Sequence, residues 1–345
     1  MPEISSFARG GRLSAAERLV RARGGAAQLC VLRGEEVVVD SAVGCARDAL
    51  FWIFSATKPF PAMLVHLLAQ LGLLSLDRPV AAYWPEFALA GKEKITVRQV
   101  LQHRSGLANA GSVMGDVLAA TDWRRSIRRI QGARPRWPPG SVPAYQFLAY
   151  GFILGEVVHE VTGTPIDVLV REELLVPWGL RDSFLGLPAE QQRRRVPVRG
   201  PFGALFNLRS TREAVIPAAG LSTTARDLAA FYRALLRGGD GVVEPETIAR
   251  ARTPSSEGEV DRAIGKPIRW SQGFQLGAAR GLSPMGTLSG RETFGHNGSN
   301  CCIAWADPER ELAFAYLTDR LGASPADVRH HAAVADAVLR EFGDA

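Results

Sequence analysis

The sequence predicts an α/β fold of the α+β type: one antiparallel sheet assembled from both chain ends, flanked by helices, with a mostly helical region inserted between. Three observations predict it. Strand-like runs occupy residues 28–32 and 36–43 near one end, and 302–306 and 312–317 near the other. Through most of the long middle, apolar residues recur at three- and four-residue spacing, the helical period. Helical patterns also flank the strands at both ends, and an apolar sheet face needs such a cover. The expected division is residues 1–60 with 285–345 as an α/β sheet domain and 61–284 as a mostly helical inserted domain, with the functional site between them.

Taken in order, residues 13–23 read as a first helix with Ser14 as its cap. The runs 28–32 and 36–43 are joined by Arg33-Gly34-Glu35, which makes them a hairpin. Residues 59–76 read as a helix with Leu64, Leu67, Leu68 and Leu71 on one stripe. Pro59 and Pro61 fall in its first turns, with Pro61 placed to distort the start. Residues 95–103 form a helix capped by Thr96 and ended at Arg104-Ser105-Gly106. A Pro- and Arg-rich loop fills 132–140, and 145–161 is a helix with Tyr145 at its entrance. Helical character continues over 166–175, and 188–209 reads as a long surface loop. Residues 221–236 read as a helix capped by Thr223 or Thr224, with Asp227 in the first turn. Residues 282–292 are rich in Gly and Ser. The last two strands flank the turn Asp307-Pro308-Glu309-Arg310. Ser324-Pro325 then opens a final helix in the favoured cap-then-proline order, with Val328, Ala335, Val338, Leu339 and Phe342 facing the core.

Composition excludes several classes. An apolar share of 46% over 345 residues suffices for a core. The net charge of +6 is carried by scattered arginines, with no basic stretch interleaved with aromatics, so no nucleic-acid platform is expected. Arg124, Arg125, Arg128 and Arg129 lie on one helical stretch and read as a solvated face. Residues 1–25 carry charges throughout and no continuous apolar segment, unlike a signal peptide. No run reaches the length of a membrane span. Cys30, Cys45, Cys301 and Cys302 have no metal-ligand spacing. Cys301 and Cys302 would point to opposite faces of a strand. The expectation is a cytoplasmic protein with reduced thiols, no metal and no membrane partner.

Chemistry concentrates at Phe54-Ser55-Ala56-Thr57-Lys58. A serine hydroxyl is a weak nucleophile until a neighbouring base takes its proton. Lysine serves as that base only if burial or a nearby cation lowers its pKa. Arginine stays protonated and cannot. The chain has four lysines, Lys58, Lys92, Lys94 and Lys266, so one beside a serine at a helix mouth is informative. Residues three apart share a helix face. Free N–H groups at that helix end are placed to hold a developing negative oxygen. His103, at a helix C-terminus, reads as structural.

Two more stretches join this one: Pro143-Ala144-Tyr145-Gln146-Phe147 and Phe294-Gly295-His296-Asn297-Gly298-Ser299-Asn300. In order, Ser-x-x-Lys, then Tyr, then His-x-Gly resembles the penicillin-recognising serine hydrolases. More closely, the chain resembles the class C β-lactamase-related esterases, the family VIII carboxylesterases. Gly72-Leu73-Leu74-Ser75-Leu76-Asp77, Tyr83-Trp84-Pro85 and Ala306-Asp307-Pro308-Glu309 also look familial, and the resemblance runs from about Leu29 to the C-terminus. It implies a β-lactamase/transpeptidase-like fold. It implies that Ser55 attacks a carbonyl and becomes acylated, that Lys58 takes its proton, and that Tyr145 moves protons to the leaving group and activates the acceptor. A phenol is a useful shuttle only if nearby cationic charge lowers its pKa. His296 stands where many relatives carry lysine, Gly298 keeps the strand edge open to substrate, and the N–H groups of Ser55 and Ser299 form an oxyanion hole. No metal or organic cofactor is implied.

Departures from the family shape the expected substrate. β-Lactamases usually carry Tyr-x-Asn, and here Phe147 takes the amide position; a phenyl ring makes no such hydrogen bonds. Ser299-Asn300-Cys301-Cys302 replaces a Gly-rich run. The first expectation is a serine hydrolase cleaving a carboxylic ester through an acyl-Ser55 intermediate. The alternative is an acyltransferase passing the acyl group from a small-molecule donor to an amine or alcohol. A true β-lactamase and a catalytically silent binding protein fit less well.

Overall fold

The structure, a computed structural model, describes residues 14–278, 281, 283–322 and 324–343. The reading of residues 1–13 as part of a charged, leader-free segment, and the positions Leu13 and Leu282, lie outside the described residues. Eleven strands are described: β1 (Ala27–Arg33), β2 (Glu36–Val43), β3 (Phe51–Trp52), β4 (Phe184–Leu185), β5 (Leu221–Thr223), β6 (Val260–Asp261), β7 (Lys266–Pro267), β8 (Gln275–Leu276), β9 (Phe294–Gly298), β10 (Cys302–Asp307) and β11 (Leu312–Thr318). The α-helices are α1 (Ala15–Arg23), α2 (Pro59–Gln70), α3 (Val97–Leu101), α4 (Val113–Ala119), α5 (Trp123–Gly132), α6 (Ala149–Thr162), α7 (Ile166–Val170), α8 (Gly203–Phe206), α9 (Arg209–Glu213), α10 (Ala225–Leu236), α11 (Pro245–Arg252) and α12 (Pro325–Phe342).

The main sheet has six strands in the order β2-β1-β11-β10-β9-β8, so strands from the two chain ends pair at β1 and β11. All its ladders are antiparallel, and β1–β2 carries a bulge between Val31 and Leu32. The two-residue period of the strands sorts side chains by size. On one face Leu29, Val31, Trp305, Phe314 and Tyr316 pack against Val20 of α1 and Val334, Val338 and Leu339 of α12. Trp305 and Phe314 stack there at 4.8 Å. The other face presents Cys30, Ala304, Ala306, Ala313 and Ala315, and these small side chains let α10 lie close on β1, β10 and β11. Two parts of the 61–284 stretch therefore join the sheet layer: α10 covers its inner face and β8 extends its edge.

Cap chemistry matches the sequence at α1, α3, α10 and α12, where Ser14, Thr96, Thr224 and Ser324 each accept a first-turn N–H. Several boundaries differ. The predicted helix over 59–76 stops at Gln70, because Gly72 takes a left-handed φ of 73° and turns the chain. Pro61 causes no break, since the first-turn N–H groups have no intrahelical acceptors. Residues 221–223 are a strand, not the first turn of a helix; β5 is the central strand of the small sheet β3-β5-β4, and such pairing overrides local pattern. The 188–209 stretch is no simple surface loop: Val196 and Val198 are buried, and Leu50 N–H donates to the Arg194 carbonyl at 2.8 Å. Cys301 precedes β10 in a turn, so its thiol joins the same core as Cys302 instead of the opposite face. All four cysteines are free, and no helix among the described residues is long and apolar enough to cross a membrane.

Candidate active site

Ser55 sits in a single 3₁₀ turn, Phe54–Thr57, between β3 and α2. The turn is pinned to β5: Ile53 N–H donates to the Leu221 carbonyl at 3.0 Å, and Leu221 N–H to Thr57 Oγ1 at 3.1 Å. Phe54 is forced to φ 45°, a left-handed conformation costing about 1–2 kcal/mol for a non-glycine residue. His103, Phe202, Ser299 and Asn300 share this unusual backbone around the same cleft, and such strain concentrates where the surroundings over-determine it.

Lys58 follows the turn, and the expected three-residue spacing brings it beside the serine. Its Nζ lies 3.3 Å from Ser55 Oγ and 3.2 Å from the Ala218 carbonyl. It also sits 4.7 Å from the centre of the Tyr145 ring. The side chain is 1% exposed and has no carboxylate partner among the described residues, so burial holds its pKa well below that of an ordinary lysine. The condition set for a lysine base is met by desolvation.

Tyr145 reaches the same cleft by a route different from the predicted one. The helix begins four residues later, at Ala149, and Tyr145 lies in irregular chain. The fully buried Asp261 holds it there: its carboxylate accepts the Tyr145 N–H at 2.9 Å, the Trp270 indole N–H at 2.9 Å, and the N–H groups of Ala263 and Ile264. Trp270 stacks on the Tyr145 ring at 5.3 Å with the planes 12° apart. His103 packs against Tyr145, Tyr150 and Trp270, and its Nδ1 accepts the Gln146 N–H at 3.2 Å. The condition set for a phenol shuttle, a pKa lowered by nearby cationic charge, is not met: burial raises the Tyr145 pKa, the facing Ser55 hydroxyl lowers it only in part, and the Asp261 charge adds a smaller rise. The buried Tyr145 hydroxyl has no partner in good hydrogen-bonding geometry among the described residues.

His296, on β9, lies 6.1 Å from Tyr145 between ring centres. Its Nδ1 faces the Asn297 carbonyl at 2.7 Å; a carbonyl only accepts, so Nδ1 carries the proton and Nε2 is a bare acceptor. Burial, reinforced by Lys58, drives its pKa down to about 3. The histidine in the familial lysine position is thus neutral. Gly298 ends β9 against the nucleophile turn, where any Cβ would overlap the Ile53 carbonyl oxygen and the Cys302 sulfur. Ser299 and Asn300, both left-handed, form a two-residue turn closed by Cys301 N–H to the Gly298 carbonyl at 2.9 Å, the geometry of a tight hairpin. Phe147 packs edge-on against Tyr145 at 5.1 Å.

Of these residues Ser55, Phe147 and Ser299 border a cavity of about 410 Å³, the size of a small-molecule site, and Lys58, Tyr145 and His296 lie behind its lining. Ser55 and Ser299 open into it, and Trp52, Phe54, Phe147, Phe206 and Ile216 line it. Among the described residues no charged side chain lines it. Sequence reasoning missed Asp261 and Trp270, which carry no local motif. It also missed the apolar wall from residues 202–208, although Phe202, Leu205, Phe206 and Leu208 have helical spacing inside a polar stretch.

The chain is similar along most of its length to several known proteins. LipL of Mycobacterium tuberculosis, described as an esterase/beta-lactamase, is 30% identical over 355 residues, spanning 90% of this chain and 80% of that protein. A penicillin-binding protein homologue from Caulobacter crescentus superposes with a TM-score of 0.83 at 28% identity, covering 97% of this chain and 100% of the other. The crystal structure of a family VIII carboxylesterase gives 0.83 at 26% identity, covering 98% and 100%. The Beta-lactamase family model matches residues 15–339, and the chain belongs to that family.

Proposed function

We propose that the protein is a serine hydrolase that cleaves a carboxylic ester through an acyl-Ser55 intermediate. The observation that carries the proposal is the closeness of the buried Lys58 amine to both Ser55 Oγ and the Tyr145 ring, with Ser55 itself opening into an apolar cavity. Neutral Lys58 takes the hydroxyl proton as Oγ attacks the ester carbonyl. The N–H groups of Ser55 and Ser299 stabilise the oxyanion. Tyr145, still protonated, donates to the departing alkoxide and is reprotonated through Lys58. Water then attacks the acyl-enzyme with the roles reversed, releasing the acid. The uncharged cavity and neutral His296 offer no cation for a substrate carboxylate, which favours plain esters over β-lactams and peptide termini. Transfer of the acyl group to an amine or alcohol is a second reading, favoured by a lining that holds few polar groups to order water. Incubation with p-nitrophenyl acetate, with and without a panel of amines, followed by mass spectrometry, separates the two. Free acid alone supports hydrolysis, and acyl-amine outrunning acid supports transfer. No turnover together with no fluorophosphonate adduct at Ser55 would refute both.

A further inference from the structure

Resting on that reading of Ser55, we infer that the protein acts on esters whose acyl group carries an aromatic ring, and that this ring seats in a corner built from Trp52, Phe54 and Phe206 and held by Arg212. Five of the 21 residues lining the Ser55 cavity are aromatic, in a chain that is 8% aromatic, so rings are concentrated where the nucleophile opens. Three of the five are fixed against one another. Trp52 and Phe54 stack at 5.6 Å with their planes 16° apart. Phe206 stands across both, at 5.8 Å and 77° to Trp52 and at 5.1 Å and 87° to Phe54. Walls at right angles let a further ring stack on one and meet the other edge-on, the two arrangements that aromatic pairs prefer; a saturated ring gains neither. An apolar cavity of ~150 Å³ holds benzene, so about 410 Å³ admits a ring together with its ester linkage.

Arg212, on α9, ties the corner together. It is 1% exposed, and no carboxylate pairs with it among the described residues. Its Nε donates to the Phe206 carbonyl at 3.0 Å, its Nη2 to the Val196 carbonyl at 2.8 Å, and its guanidinium lies 4.8 Å from the centre of the Trp52 ring. One planar fork thus fixes two walls at once, without itself lining the cavity. The Trp52 indole N–H is spoken for as well, donating to the Ala219 carbonyl. The corner lies on the acyl side of the site. Tyr145, which serves the leaving group, packs with His103, Phe147, Trp270 and His296, and among the described residues it makes no ring contact with the three. Phe54 instead adjoins the nucleophile directly in the chain.

The test compares p-nitrophenyl phenylacetate with p-nitrophenyl cyclohexylacetate, each kcat/KM divided by that ester's hydroxide-catalysed rate constant. The saturated ring has as many carbons and more apolar surface, so burial alone favours it. The corner should reverse that order, by about tenfold in favour of phenylacetate. In Phe206→Leu, which keeps the apolar bulk and removes the ring, the ratio should fall to about one. Arg212→Met should lower the ratio too; an unchanged ratio, or an equal loss on both esters, overturns the part given to Arg212. A wild-type ratio at or below one overturns the corner and leaves the Ser55 reading standing. A ring preference confined to the alcohol half, benzyl acetate over cyclohexylmethyl acetate, overturns the acyl assignment. Binding is read separately, by calorimetry of Ser55→Ala protein with phenylacetamide and with cyclohexylacetamide, and the aromatic amide should bind about tenfold tighter. That preference, with no ester turned over and no fluorophosphonate adduct on the wild-type protein, overturns the Ser55 reading instead. Neither preference nor turnover overturns both.

Discussion

Replacing Lys58 by arginine keeps a basic side chain at the serine but removes its capacity to take a proton. In the native cleft the amine has two acceptors, Ser55 Oγ at 3.3 Å and the Ala218 carbonyl at 3.2 Å, and burial holds it toward the neutral form. Guanidinium stays protonated under all relevant conditions. The lost step is general-base transfer, which contributes about 10²–10⁴-fold, or about 3–5 kcal/mol of barrier. Lys58→Arg should therefore cut kcat/KM on p-nitrophenyl acetate by at least two decades. The pH dependence supplies a second readout. Wild-type activity requires the free amine, so kcat/KM falls as pH drops through the lowered pKa of Lys58, and the variant loses that limb. Stability has its own sign. The folded pKa lies below the ordinary 10.5, so the unfolded chain binds more protons between the two values. Wild-type stability thus rises with pH across that window, and the variant lacks this slope. An arginine variant that kept more than a tenth of wild-type kcat/KM would end the proton-transfer account.

Further substitutions probe the frame around the base. Ser55→Ala should abolish both turnover and fluorophosphonate labelling; a residual adduct by mass spectrometry would place the nucleophile elsewhere. Gly298→Ala drives a methyl into the Ile53 carbonyl and the Cys302 sulfur, so about 1–3 kcal/mol of stability should be lost along with most labelling; a variant as stable and reactive as wild type would show that β9 does not press on the serine turn. Asp261→Asn leaves buried N–H donors facing an amide that can accept fewer of them. Thermal unfolding should register a loss of about 1–3 kcal/mol, and kcat should fall more than KM rises, because Tyr145 and Trp270 lose their common anchor. His296 should remain neutral from pH 5 to 8 in imidazole NMR spectra, consistent with a pKa of about 3; a midpoint near 6.5 would mean the ring is solvated.

Much of this was legible in the chain. The Ser-x-x-Lys spacing, the strand alternation at both ends and the cap residues are local properties, set by helix pitch, strand pleat and side-chain hydrogen bonding within a few residues. Those features singled out the Ser55–Lys58 pair and a sheet built from both chain ends, while Tyr145 and His296 joined the pair only through the resemblance to the penicillin-recognising serine hydrolases. Charge state and backbone shape were not local. Tyr145 was expected at a helix start; the fold instead sets it in irregular chain, anchored by Asp261 from 116 residues away, and burial raises its pKa, with a smaller rise from the Asp261 charge. Residues 221–223 follow a helical pattern yet form a strand, because β3 and β4 lie on either side to pair with them.

The sequence alone thus singled out Ser55 and Lys58 as candidates and set the order in which the chain delivers the candidate groups, since residue identity and short-range spacing suffice for that. Only the tertiary structure decided their protonation, through burial from water, and the character of the cavity, through apolar side chains on α4 and residues 202–208 that share no motif and meet only when the chain is folded.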